Sequence, residues 1–200
     1  SVVNLTGPVQ AIDDALGEAE RMSGYQVNEA VISINGAHIL STKADGMIAV
    51  GGMDHEISQD DLARIEDVAT VGKVPANRQI LEVVPHSYRL DGQENIKNPL
   101  GMTGTRLEIS ANVISALTPH VDTLSKAAEN VNVTARAILP SVMAAARATL
   151  AESQMENGVV LIDLGGATTS LAIYEEGELQ HLAVIPVGGM NVTNDLAIGL

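Results

Sequence analysis

The stretch Gly158-Val-Val-Leu-Ile-Asp163-Leu-Gly165-Gly166-Ala167-Thr168-Thr169-Ser170-Leu-Ala-Ile-Tyr174 decides how this chain is read. A short run of Val, Leu and Ile bounded by glycine predicts a buried strand. The strand ends in one acid, two glycines and two threonines, and a second apolar run follows. Gly165 and Gly166 carry no Cβ, so the turn between the runs can present consecutive backbone N–H groups to an anion. Asp163, at the strand end, is placed to hold a metal-bound water rather than the anion itself. The pattern suits a loop that grips nucleotide phosphates from one side. It equally describes a tight β-turn capped by an aspartate.

Composition narrows the remaining choices. Two hundred residues supply one or two domains with ample length for a core. Phe and Trp are absent, and Tyr25, Tyr88 and Tyr174 are the only aromatic residues of those three types. The core therefore falls to Leu, Ile, Val, Met and Ala, and no aromatic platform exists for stacking single-stranded bases. A formal charge of −14 argues against nucleic acid as a partner and against direct adsorption to anionic lipid. The lack of cysteine excludes disulfide and thiolate chemistry and fits a reducing cytoplasm. No apolar run approaches the roughly 20 residues that span a bilayer, and no signal-peptide pattern leads the chain. The glycosylation sequons at Asn4, Asn132 and Asn191 are expected to be chance matches. A start at Ser1 and an end at Leu200 within a helical pattern read as a piece of something longer.

Local signals order the elements. Residues 8–23 predict a helix, with Pro8 in its first turn, Val9, Ile12, Leu16, Ala19 and Met22 on one face, and Gly24 ending it. Ala30–Ile34 reads as a buried strand closed by Asn35-Gly36. Thr42–Val50 is strand-like. Residues 58–71 predict a helix capped by Ser58 with Asp61 in the capping-box position, Ile57 stapling to Leu62, and Leu62, Ile65, Val68 and Ala69 inward. Gln79–Leu90 predicts a strand interrupted by Pro85, turning at Asp91-Gly92 into a loop. Thr105–Ser115 alternates, with Leu107, Ile109, Ala111 and Val113 on one face and Arg106, Glu108, Ser110 and Asn112 on the other. That pattern predicts a half-buried antiparallel strand. Thr118-Pro119 opens a helix with Val121, Leu124 and Ala128 inward. Val133–Leu139 predicts a strand stopped by Pro140, and Ser141 caps an alanine-rich helix running to about Asn157. A hairpin at Glu175–Glu178, a strand over Leu179–Val187 and a helix after Gly188-Gly189 complete the reading. Helix–strand alternation on both sides of a small α+β unit, residues 37–116, predicts an α/β layered protein with an insertion.

Several stretches match one family together. They are Ala30-Val-Ile-Ser-Ile-Asn-Gly-Ala-His38-Ile, Ile57-Ser-Gln-Asp-Asp61, Asn98-Pro-Leu-Gly101-Met-Thr-Gly104-Thr-Arg106-Leu-Glu108, Asp163-Leu-Gly-Gly-Ala-Thr-Thr, and Ile185-Pro-Val-Gly-Gly-Met-Asn-Val-Thr193-Asn-Asp195. In this order, over essentially the whole chain, they resemble the FtsA family of bacterial actin-like cell-division proteins. The Gly-Met-x-Gly-x-Arg-Leu-Glu run is the specific one; the Asp163 run is shared across actins, chaperone ATPases and sugar kinases. The resemblance implies a partial actin-like, ribonuclease-H-like ATPase fold carrying an inserted α+β SHS2-type subdomain. Residues 1–36 and 117–157 then form part of subdomain 1A, residues 37–116 subdomain 1C, and residues 158–200 the start of subdomain 2A.

The same resemblance implies the chemistry. Asp163 holds Mg²⁺ through water, the amides of Gly165, Gly166, Ala167 and Thr168 face phosphates, the Thr168 hydroxyl reaches a phosphate oxygen, and Thr169 belongs to the cofactor-binding set. Two positions depart from the family, which usually has a third glycine at Ala167 and an acid at Ser170. The alanine methyl limits φ > 0 and crowds a close approach, and serine removes a charge that helps hold metal. ATP with Mg²⁺ is therefore expected to bind the full-length protein with weak hydrolysis, and to bind this piece poorly. No catalytic residue is assigned. The implied role is a cytoplasmic scaffold, peripheral on the inner face of the membrane at the division site. Its implied partners are itself as a filament, later division proteins through residues 37–116, and a tubulin-like division-ring protein and the membrane through parts outside this chain.

Other candidates are weaker. His38, His55, His86, His120 and His181 show no paired metal-ligand spacing. His38 is expected to end a strand and His120 to sit in a helix first turn. Arg106 and Glu108 share an exposed strand face, as a surface ion pair or part of a docking face. An actin-like scaffold of type IV pilus assembly and a sugar-kinase-like enzyme are the alternative functions.

Overall fold

Cap residues and hydrophobic alternation sort residues 5–199, those described by the computed structural model, into three small sheets with helices between them. The readings attached to Ser1, Asn4 and Leu200 lie outside the described residues. Helix α1 (Thr6–Ser23) ends where Gly24 turns left-handed, at φ 74°, and donates its N–H to the Glu20 carbonyl. Its expected inward face is only half realised: Val9, Ile12 and Leu16 are half-buried, whereas Ala19 and Met22 are exposed. The helix packs chiefly on α3, which covers one short stretch of its surface. Strand β1 (Glu29–Ile34) pairs in parallel with β6 (Thr134–Pro140).

Between them lies a four-stranded antiparallel sheet in the order β2-β5-β3-β4, made of β2 (Leu40–Ala49), β3 (Arg78–Leu90), β4 (Gln93–Ile96) and β5 (Arg106–Leu117). Helix α2 (Gln59–Thr70) covers one face. Its capping box forms as expected: the Ser58 hydroxyl accepts from the Asp61 N–H at 3.2 Å, and the Asp61 carboxylate accepts from the Ser58 N–H at 3.0 Å. Ile57 is buried, Leu62 packs on the same core, and Ile65 and Ala69 are fully buried; Val68 is exposed, at the margin of the apolar stripe. Asp91 and Gly92 both have positive φ, the type I′ geometry of a two-residue hairpin, and so create β4, a strand absent from the sequence reading. Pro85 stands at a register shift of β3, upstream of the β4 pairing, where a missing N–H breaks no second ladder.

The Gly101–Glu108 run closes this unit like a clasp. Gly101 donates to the Ile57 carbonyl, Ile57 to Met102, and Gly104 to His55, all near 3 Å. A Cβ on Gly104 would stand 2.7 Å from Leu90 Cγ, so only glycine lets the run lie against the hairpin. The Asp91 carboxylate accepts from the N–H groups of Thr105 and Arg106 and from the Thr105 hydroxyl, which holds its pKa below the usual carboxylate range. Arg106 meets Glu108 at 2.6 Å, and Arg89 bridges Glu108 and Glu94 at 3.3 and 3.0 Å. These exposed pairs contribute at most about 1 kcal/mol each.

Strand β5 departs from the half-buried expectation. Its first half alternates, but Ala111–Ala116 is buried on both faces. Ala111 and Val113 face the α2 core; Ile114 and Ala116 belong to a second core with Ile34, Val121, Met143 and Leu182. That second core gathers α3 (Thr118–Glu129), α4 (Ser141–Thr149) and a three-stranded antiparallel sheet of β7 (Val159–Leu164), β8 (Thr169–Glu175) and β9 (Glu178–Ile185). Val121 and Ala128 of α3 are buried and Leu124 is half-buried, as the pattern predicted.

The alanine-rich helix does not run to Asn157. It stops at Thr149, Leu150 turns extended, and a separate helix, α5 (Glu152–Asn157), begins where Gln154 accepts the Ala151 N–H at 2.8 Å. Pro140, in extended conformation, occupies the N-cap position instead of Ser141. Strand β7 is covered on one face only: Val160, Ile162 and Leu164 are 51–70% exposed, where continuous hydrophobicity had suggested burial. Helix α6 (Gly189–Gly199) follows β9, as expected.

The tightest helix–sheet contact is testable. A Cβ on Gly46 in β2 would lie 2.9 Å from the Ala69 backbone nitrogen of α2, itself fully buried. Gly46→Val is expected to destabilise the fold by about 1–3 kcal/mol through overpacking, read from urea unfolding midpoints. Gly72→Ala, at an open position with positive φ, tests strain alone and is expected to cost about 1 kcal/mol.

Candidate functional site

The C-terminal end of β1 and the β7–β8 turn face each other across a cleft of about 370 Å³. Ser33 to His38, the first turns of α3 with His120 and Leu124, and Thr168 and Pro186 line it. The turn follows from its residues. Asp163 pairs with Ser170 and Leu164 with Thr169 across β7 and β8, and the Gly165 N–H closes the loop on the Thr168 carbonyl at 2.9 Å.

The start of α6 holds this loop from behind. Gly189 and Met190 donate to the carbonyls of Gly165 and Gly166 at 2.9 and 2.8 Å. Gly188 approaches so closely that a Cβ there would stand 2.5 Å from the Gly165 oxygen. In a trans peptide the N–H points opposite to the C=O of the same plane. Two carbonyls turned toward α6 therefore turn the N–H groups of Gly166 and Ala167 away from it. Among the described residues neither amide has an intrachain acceptor. Consecutive free amides are the geometry from which anion-binding concavities are made.

The expected residues thus divide. Gly166, Ala167 and Thr168 come together at the exposed side of the loop. The Gly165 N–H does not join them, because the Thr168 carbonyl occupies it. The Thr169 hydroxyl also turns elsewhere, donating to the Val187 carbonyl at 2.7 Å. Ala167 has no positive φ, and the loop glycines have none either, so the methyl imposes no backbone strain here. Asp163 is half-buried, and its carboxylate forms no ion pair or hydrogen bond among the described residues. No cluster of three or more His, Cys, Asp or Glu surrounds it there. A lone carboxylate beside exposed amides fits a metal held through water better than one held by a protein ligand cage.

Two features escaped the sequence reading. Asn35, read only as the end of a strand, bonds across the cleft: its Nδ2 donates to Thr168 Oγ1 at 3.2 Å, and its Oδ1 accepts from Ser170 Oγ at 3.1 Å and from the Gly36 N–H at 2.8 Å. Nothing local in the sequence links positions 35 and 170. His38 and His120 also meet here, ring centroids 4.1 Å apart and edge to face. His38 lies in the turn before β2 rather than at a strand end; His120 does occupy the first turn of α3.

Comparison with known proteins places this geometry. The family model described as the SHS2 domain inserted in FtsA matches residues 36–115, and the model described as cell division protein FtsA matches residues 160–200. The FtsA protein of Pseudomonas aeruginosa is 36% identical over 199 residues, covering all of this chain and 47% of that protein. That of Bacillus subtilis is 34% identical over 200 residues, all of this chain and 46% of its own length. The chain belongs to the FtsA family. It spans about half the length of the curated FtsA proteins it matches. Among solved structures, the PilM–PilN type IV pilus biogenesis complex aligns with a TM-score of 0.64 at 14% identity, over 97% of this chain and 52% of that one. The ethanolamine utilization protein EutJ of Carboxydothermus hydrogenoformans aligns at 0.51 and 15%, over 99% and 42%. At such identities the likeness establishes the fold, which is actin-like. The Asp163–Thr169 loop of this FtsA-family chain lies within the second matched region.

Burial, then the neighbouring His120 and Arg78, lower the pKa of His38 below the ordinary 6.5. Burial likewise lowers that of His86, against the opposing influence of Asn112. Each imidazole stays neutral in the fold while the unfolded chain takes up a proton. Stability is therefore unaffected above pH 6.5 and falls as pH drops through 6.5 toward the lowered values. His38→Gln is expected to flatten the decline in urea midpoint between about pH 7 and about pH 5.5. A His38→Gln slope equal to that of the parent would assign the whole decline to other groups.

Proposed function

We propose that this chain is part of an actin-like, ATP-binding scaffold of bacterial cell division. The observation that carries the reading is the family relationship across the whole chain, combined with a loop whose free amides and hydroxyl suit a phosphate. In the full-length protein ATP enters with Mg²⁺. Gly166 and Ala167 supply backbone donors, Thr168 a hydroxyl donor, and Asp163 the acceptor for metal-bound water. Without a facing phosphate loop this piece alone binds nucleotide poorly. Hydrolysis is weak, because Ser170 supplies no second acid and no Lys or Arg among the described residues lines the cleft.

The scaffold works by association rather than turnover. Residues 37–116 form subdomain 1C, between residues 1–36 and 117–157 of 1A, with 158–200 opening 2A. Subdomain 1C carries self-association and contacts with later division proteins. A tubulin-like division-ring protein and the inner face of the membrane are engaged by parts outside this chain. No helix among the described residues is long and apolar enough to cross a membrane.

Deleting residues 37–116 from the full-length protein is expected to abolish nucleotide-dependent filaments in pelleting assays. Undiminished assembly would refute the role given to the insertion. Purified full-length protein is expected to turn over ATP far more slowly than an active actin-type ATPase. A comparable rate would refute the assignment as a switch.

A further inference from the structure

Asn35 sits where no local motif would place a ligand-directing residue, yet both polar atoms of its side chain are bonded. Its Oδ1 faces two donors, the Ser170 hydroxyl at 3.1 Å and the Gly36 N–H at 2.8 Å. The Gly36 N–H can only donate, so it fixes the amide orientation: the flipped form would set an NH₂ against it, and with Oδ1 in place the Ser170 hydroxyl must be the donor. The Nδ2 is thereby aimed at Thr168 Oγ1, 3.2 Å away across the cleft. Ser170 is fully buried, so its hydroxyl has no water competing for this bond. The chain of donors runs one way, from Ser170 to Asn35 to Thr168.

We propose that Asn35 is a positioning residue that turns the Thr168 hydroxyl proton toward a phosphate oxygen in the cleft. A hydroxyl that accepts from Asn35 must direct its own O–H elsewhere, and the cleft is the open side, lined by Thr168 itself. Each link polarises the next, so the relay strengthens when an anion takes its last proton. Asn35 also joins β1 to the β7–β8 turn, 133 residues apart in sequence, so phosphate at Thr168 is felt on the far wall of the cleft. The proposal rests on the nucleotide reading given above, and its test separates the two.

Two measurements on the full-length protein are needed: hydrogen exchange of the peptide covering residues 164–170 without nucleotide, and Mg-ATP affinity by calorimetry. Asn35→Ala is expected to speed exchange in the loop and weaken Mg-ATP about tenfold, the scale of one hydrogen bond. Thr168→Val loses a similar factor, Thr168→Ser keeps parental affinity, and the double variant Asn35→Ala with Thr168→Val is no weaker than Thr168→Val alone. Parental exchange and affinity in Asn35→Ala, or losses that multiply in the double variant, would overturn the proposal. If Asn35→Ala fails to fold, Asn35→Ser keeps a small polar side chain too short to reach Thr168 and adds no charge, with the same expected losses. A parent that ignores Mg-ATP while Asn35→Ala still loosens the loop defeats the nucleotide reading and leaves the positioning role supported.

Discussion

Strand β5 is the member on which the rest of the molecule leans, because both of its faces are buried from Ala111 to Ala116. One face completes the core under α2; the other enters the core shared by α3, α4 and the final sheet. At the crossover sits Asn112, 1% exposed, whose Nδ2 donates to the carbonyls of Leu179 and Gln180 in β9 at 2.8 and 2.9 Å. A buried amide without such partners would cost roughly 1–3 kcal/mol. The two carbonyls therefore fix where β9 can lie against the inserted sheet. Lys97, which bonds the Glu176 carbonyl, and Arg147, 2.9 Å from Glu82, tie the same boundary at the surface. Arg78 closes the neck of the insertion from within, holding the His38 and Ser115 carbonyls together.

Features written in a few adjacent residues were legible. The capping box at Ser58 and Asp61, the Asp91-Gly92 turn and the alternation of the first half of β5 each state their geometry locally, and the fold carries all three. What failed needed knowledge of distant neighbours. The five apolar residues of β7 read as buried on both sides, because periodicity reports hydrophobicity and not whether a covering element is present. The break at Leu150 and Ala151 is invisible to helix propensity, since both residues favour helix. Tertiary packing wins there: Leu150 packs into the second core in an extended conformation.

The candidate site divides along the same line. The loop residues Gly165 to Thr168 were found because glycine and threonine at adjacent positions announce a tight turn with polar edges. Which amides stay available was not legible, since it depends on α6 claiming the carbonyls of Gly165 and Gly166. The link of Asn35 to the loop and the meeting of His38 with His120 stayed hidden for a related reason, as the cleft brings together the β1–β2 connection, α3 and the β7–β8 turn.

That assembly changes the meaning of the two unusual positions. Read against the family pattern, Ala167 and Ser170 were deficits: a methyl where glycine is usual and a hydroxyl where an acid is usual. The loop avoids the left-handed region, so the methyl meets no backbone penalty. Ser170 is the donor at the head of a hydrogen-bonded chain, and its oxygen is completely buried. A carboxylate in its place would point acceptor to acceptor at Asn35 Oδ1, in a site with no cationic side chain beside it. Burying that charge costs several times what one neutral hydrogen bond returns. An acid at position 170 therefore requires the Asn35 amide to turn over and give up the Gly36 N–H, or a metal or a different residue at 35 to answer it. Positions 35 and 170 form one chemical unit, and this chain has chosen its neutral form.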